Sequence, residues 1–200
     1  MHAYHMRTAG KATAVIRSRP VVALLGICGS LRKASLNRAL LAAVAEVMPH
    51  GATLTIFDGL GDLPLFNSDI EDPAPVLALK AAIARADGVV FGVPEYNYSI
   101  PGVLKNALDW ASRPPAASPL RGKPVGLIGA ATGMSGTIRA QLHLRQMLVY
   151  SDAPCLLQPE VLIPRAHERF ESGQLTDEST RQLLARFATA MTAFVRRHTP

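Results

Sequence analysis

From Val21 onward, short unbroken apolar runs alternate with segments of helical periodicity, and this alternation constrains the fold more than any other feature of the chain. Val21-Val22-Ala23-Leu24-Leu25-Gly26 carries no polar side chain, as a strand covered on both faces would. Further strands are predicted over 53–57, 88–93, 124–129 and 155–163, the last broken by Pro159. Helical patterns fill the gaps. Leu36, Leu40, Val44 and Val47 recur at helical spacing behind Ser35, a suitable N-cap. Other helices are expected to 85 (after a loop over 58–75), over 101–111, 135–150 and 177–197. Pro101 suits a first helical turn, and 168–176 reads as polar loop. Five strands, each followed by a helix, predict an α/β protein with a parallel sheet and helices on both faces. Ligands then bind at the carboxyl ends of the strands, near the switch point.

With 200 residues, 48% apolar and 18% charged, the chain suits one domain over 21–200, with 1–20 as a disordered basic leader. Arg7, Lys11, Arg17 and Arg19 place four of the six net positive charges in that leader, which has no acid. Only +2 is left for the rest, so nucleic acid is not an expected partner. No apolar run reaches the ~18 residues of a spanning helix, so no membrane partner is expected either. Cys28 and Cys155 make no disulfide framework and read as small buried hydrophobes in a reducing cytoplasm. No metal site is expected, because His143 has neither a cysteine nor a second histidine at ligand spacing.

Three segments fall at strand ends. The first holds Gly29, Ser30, Arg32, Ser35 and Asn37 just before a helix. Glycine permits a tight turn, helix-start amides and the helix dipole favour an anion, and arginine adds charge-assisted contacts. The same residues would also make an ordinary capped turn with a solvated arginine. No Gly-Lys-Ser/Thr follows, which disfavours a nucleotide hydrolase, and no third glycine completes a dinucleotide fingerprint. The second segment, Pro94-Glu95-Tyr96-Asn97-Tyr98-Ser99, offers polar groups for the edge of a flat heteroaromatic ring and tyrosines beside it. A surface turn with two amphipathic tyrosines is the alternative reading. The third, Ala130-Ala131-Thr132-Gly133-Met134-Ser135-Gly136, is small enough for backbone to close on a ligand.

Together these motifs, with Lys105-Asn106-Ala107-x-Asp109-Trp110, resemble the NADPH-dependent FMN reductase family from Val21 to the final helix. Gln141-x-His143-Leu144-Arg145-Gln146 and Pro159-Glu160 are similar to its chromate and quinone reductase branch. The resemblance implies a flavodoxin-like three-layer sandwich with a five-stranded sheet in the order 2-1-3-4-5. It implies bound FMN, NADPH or NADH as co-substrate, and ping-pong transfer to quinones, free flavin or oxidised anions such as chromate. The flavin carries the chemistry, so no catalytic side chain is expected. Ser30, Arg32, Ser35 and Asn37 would hold the FMN phosphate. Pro94, Glu95, Tyr96, Asn97 and Tyr98 would contact the isoalloxazine, and Thr132 and Gly133 would complete the pocket. Ala131 stands where a serine is common, Thr137 where relatives often have glycine, and Leu142 in place of an aromatic. A homodimer or homotetramer is implied, in which Arg139, Arg145 and Glu160 could form inter-subunit ion pairs or else a solvated face. The alternative is a flavodoxin-type electron carrier, which a strongly acidic docking face would favour.

Overall fold

The structure, a computed structural model, describes residues 21–198. The basic leader expected over 1–20 lies outside the described residues. Five parallel strands form the central sheet: β1 (Val22–Cys28), β2 (Ala52–Ile56), β3 (Gly88–Gly92), β4 (Val125–Ala130) and β5 (Val161–Ile163). Their order is β2-β1-β3-β4-β5, as expected of a flavodoxin-like sheet. Helices α1 (Leu36–Glu46), α2 (Ala74–Arg85), α3 (Gly102–Ala111), α4 (Ile138–Tyr150) and α5 (Glu178–His198) follow them in turn.

Two apolar layers hold the sheet. On one side Leu40, Leu41 and Val44 of α1 and Leu184, Phe187 and Met191 of α5 pack on Leu24, Val90 and Ile128. On the other, Val76, Leu79 and Ile83 of α2, Leu104 and Trp110 of α3 and Leu144 of α4 cover Leu25, Phe91 and Leu127. Because both faces are covered, the central strands are apolar at nearly every position. Trp110 anchors the second layer: it is 1% exposed, and its Nε1 donates to the Pro64 carbonyl at 2.8 Å.

Two sequence expectations need correction. The strand expected over 155–163 is paired only at its ends. Cys155 bridges Val125, residues 157–160 leave the sheet, and pairing resumes at Val161. Pro159, within the unpaired stretch, has no amide to donate to the ladder. The polar stretch 168–176 contains a short hairpin, β6 (Phe170–Glu171) with β7 (Gln174–Leu175), whose turn places Ser172 at φ 50° and Gly173 at φ 82°. Two residues per strand are too few for alternation to show.

Candidate functional site

The carboxyl ends of β1, β3 and β4 are adjacent, and the loops that follow them meet around a cleft of about 140 Å³. Ser30, Arg32, Ser35 and Asn37 line it from the first loop, Pro94, Glu95 and Tyr96 from the second, and Thr132 from the third. Asn97, Tyr98 and Gly133 lie outside the lining, exposed on its rim. Leu36, Ala130 and Ala131 also line the cleft. Their apolar side chains give no chemical signal in a sequence.

The first two loops leave the sheet in register. The Gly29 amide donates to the Gly92 carbonyl at 2.9 Å, one residue beyond the β1 strand. A Cβ on Gly29 would stand 2.9 Å from Cδ of Pro94, so this close approach requires glycine. Ser35 then caps α1: its Oγ accepts from the Arg38 amide at 3.2 Å. The amides of Leu36 and Asn37, the first two of the helix, have no intrahelical acceptor and belong to residues that line the cleft.

The two arginines of this region differ. Arg38 is tied to Asp58 at 2.6 Å, whereas Arg32 is exposed at the cleft and has no acid partner among the described residues. Ser30 Oγ lies 3.4 Å from Tyr96 Oη, joining the first loop to the second.

Asn37 does something the sequence did not show. Its Nδ2 donates to the Ala130 carbonyl and its Oδ1 accepts from the Ala130 amide, both at 2.9 Å. The side chain is buried, so α1 is fastened to the end of β4 through a two-point bond.

Glu95 is similarly occupied. Its carboxylate accepts from the Arg139 amide at 3.1 Å, the Ala140 amide at 3.4 Å and Arg139 Nε at 2.6 Å, and Arg139 Nη2 also pairs with it. It thereby caps the start of α4, where Thr137 provides no side-chain cap. Burial alone would raise this carboxyl, but the hydrogen bonds from Arg139 and Ala140 outweigh it and hold Glu95 below the ordinary glutamate range. Arg139 therefore spends its charge within the chain, and its guanidinium also covers the Tyr98 ring at 3.8 Å. Arg145 donates to the Leu156 carbonyl at 3.1 Å, while Glu160 is exposed.

The third loop is joined to the exit of β5. The Ala131 amide donates to Ile163 at 3.0 Å, and the Arg165 amide to Gly133 at 3.0 Å. Thr137 adopts φ 72°, a left-handed conformation that accounts for glycine being acceptable there. Its hydroxyl accepts from Gln141 Nε2 at 3.2 Å.

With the Glu95 carboxylate paired to Arg139, the cleft presents, among the described residues, one guanidinium without an acid partner, two helix-start amides without an intrahelical acceptor and the hydroxyl of Ser30. That donor set fits a phosphate monoester. Among the described residues no group of three His, Cys, Asp or Glu could hold a metal ion, and no helix is long and apolar enough to cross a membrane.

A 2-1-3-4-5 parallel sheet with helices on both faces and a cleft at the carboxyl ends of β1, β3 and β4 defines the class of flavodoxin-like proteins. The profile of the NADPH-dependent FMN reductase family matches residues 22–168, and the chain belongs to that family. It is thus an oxidoreductase that uses FMN with NAD(P)H as reductant. It is 43% identical over 180 residues to an NAD(P)H-dependent FMN reductase of Pseudomonas aeruginosa, covering 88% of this chain and 96% of that one. It is 42% identical over 173 residues to a 2-hydroxy-1,4-benzoquinone reductase of a Burkholderia species, covering 85% and 94%. Among solved structures it is similar to FerB, a flavoenzyme NAD(P)H:(acceptor) oxidoreductase from Paracoccus denitrificans. The TM-score there is 0.82 at 35% identity, over 89% of this chain and 99% of that one.

Proposed function

We propose that the chain passes electrons from NADPH or NADH through FMN to a small oxidised acceptor: a quinone, free flavin or an oxidised anion such as chromate. FMN, when bound, accepts hydride at its ring and returns electrons to the acceptor. The protein binds and orients. The observation that carries the reading is the unpaired Arg32 guanidinium beside the open start of α1, in the cleft whose other wall is Pro94 and Tyr96.

Arg32, Ser30 and the amides of Leu36 and Asn37 would hold the phosphate, with Ser35 keeping the helix start open. The volume of about 140 Å³ is well below the ~300–1,000 Å³ of a pocket that encloses a whole drug-sized ligand. The enclosed part therefore suits the phosphate and its stem, and the ring would lie at the rim. Pro94, Tyr96, Asn97 and Tyr98 would border that ring, with backbone of Thr132 and Gly133 completing the pocket. The side chains of Asn37 and Glu95 serve by fixing these walls rather than by touching the flavin.

An open rim admits the nicotinamide and the acceptor in turn, which corresponds to a ping-pong order. Parallel initial-rate lines with NADPH and a benzoquinone would support it, and intersecting lines would reject it. Purified protein should show flavin absorbance or acquire it on reconstitution. A colourless protein that takes up no FMN would overturn the proposal. The electron-carrier alternative gains no support from the reductase relatives. A cytoplasmic enzyme remains part of the reading, in keeping with its soluble reductant.

Self-association belongs to the same proposal. Ile138, Leu142 and Val149 share one face of α4 and are 40%, 55% and 77% exposed. Such an apolar stripe suits a second copy of the chain, giving a homodimer or homotetramer.

A further inference from the structure

The loop bordering the proposed ring position contains an unusual turn. The Tyr96 amide donates to Ser99 and the Ser99 amide to Tyr96, each at 3.0 Å, which closes a two-residue hairpin. Its central residues, Asn97 and Tyr98, have φ of 50° and 65°. Two successive left-handed residues are what such a turn demands, and the second position usually belongs to glycine. A tyrosine there is strained and persists only where the surroundings hold it.

The surroundings that hold it come from α4. Arg139 lies over the Tyr98 ring and pairs with Glu95, directly before the turn. One helical turn later, His143 Nδ1 is 3.0 Å from Ser99 Oγ, directly after it. Residues four apart share a helix face, so α4 grips the loop at both ends. The helix itself is anchored: Gln141 Nε2 donates to the Val161 carbonyl at 3.0 Å, and Leu144 is fully buried.

We propose that His143 is a positioning residue for the flavin site, acting through Ser99 to hold the 96–99 turn in its strained form beneath the ring. This rests on the assignment of that turn to the ring. The geometry gives a solvent-exposed histidine a function in the reaction that neither metal binding nor packing supplies. Ser99 is the intermediary, since its hydroxyl can donate to or accept from the imidazole. Arg139 acts as the second point of the brace.

Hydrogen exchange of the Tyr96 and Ser99 amides tests the brace directly, with or without FMN. His143→Ala should speed exchange at both amides by about three- to tenfold, the loss of roughly one hydrogen bond. His143→Gln, which retains a hydrogen-bonding group, should restore most of the protection. In the FMN-loaded protein, His143→Ala should also shift the visible flavin band and weaken FMN binding. A Ser99→Ala background should remove both effects of His143→Ala, because the histidine then has nothing to act through. Unchanged exchange in His143→Ala overturns the proposal. So does an effect that survives in Ser99→Ala. If exchange responds but the flavin band and FMN affinity do not, the turn is braced but does not border the ring, and the site assignment fails instead.

Discussion

The carboxamide of Asn37 is paired at both polar atoms with the backbone of Ala130, 93 residues away, at 2.9 Å in each direction. This bond fixes the start of α1 against the end of β4 and so sets the distance between two walls of the cleft. Asn37→Ala should destabilise the protein by about 2–4 kcal/mol, from two buried hydrogen bonds lost and two backbone groups left unsatisfied. The loss should be the same in the FMN-free protein, as read from denaturant midpoints. Were Asn37 a phosphate ligand instead, FMN affinity would fall while the FMN-free stability held.

Arg32 should behave in the opposite way. Its side chain is exposed and unpaired among the described residues, so Arg32→Ala should change folding stability by less than about 0.5 kcal/mol. FMN affinity should fall by roughly tenfold or more, as expected for a lost charge-assisted bond to phosphate. Riboflavin, which has no phosphate, should bind the wild type and the variant equally. Equal FMN affinity in the two proteins would remove Arg32 from the site.

The parallel sheet was legible because buried parallel strands are apolar along their whole length, and the three loops because they fall where such strands end; the strand order came only through the family resemblance. Individual roles were less legible. Asn37 and Glu95 looked like ligand residues from their place in a loop, yet their polar atoms are committed to Ala130 and to the start of α4. Both bonds span more than forty residues, and no local pattern encodes them. Arg139 shows the converse. Within α4 it reads as a surface or interface charge, and only the fold brings it to Glu95 and Tyr98. The spacing of Arg139 and His143 was visible, but its target was not. The split of the fifth strand was partly legible, since Pro159 marks where pairing fails.

Acid should unfold the protein through carboxylates held in their charged form. Hydrogen bonds from Thr180 and Ser179 hold Asp177 far below the ordinary aspartate range, and bonds from Arg139 and Ala140 hold Glu95 more modestly below its own. A lowered folded-state value means that the unfolded chain binds the proton first. The stabilisation is complete at neutral pH, and it is lost as pH falls from the ordinary carboxyl range through the lower folded values. Asp177 Oδ1 accepts from the Thr180 amide at 2.8 Å in the first turn of α5, so Asp177→Asn should flatten this acid limb and weaken that helix start by about 1 kcal/mol without changing FMN affinity. Glu95→Gln should flatten it less, and should weaken FMN binding because the start of α4 and the 96–99 turn loosen together. Melting temperatures of the three proteins from about pH 3 to about pH 7 would separate the two groups.

The α4 surface gives the remaining prediction. Leu142 lies 55% exposed between Ile138 and Val149, so a charge there disturbs no internal packing. Leu142→Asp should leave the folded protomer within about 0.5 kcal/mol of wild type. In a dimer, however, the stripe meets its own copy across a two-fold axis. Each protomer then contributes one buried carboxylate, and a like-charged pair in an apolar contact costs several kcal/mol. Sedimentation velocity should show wild type as a dimer or larger and Leu142→Asp as a monomer. Because Arg139 and His143 stand on the same helix as the stripe, the monomeric variant should also exchange the Ser99 amide faster. A wild type that sediments as a monomer at micromolar concentration would remove the interface and leave the brace standing on α4 alone.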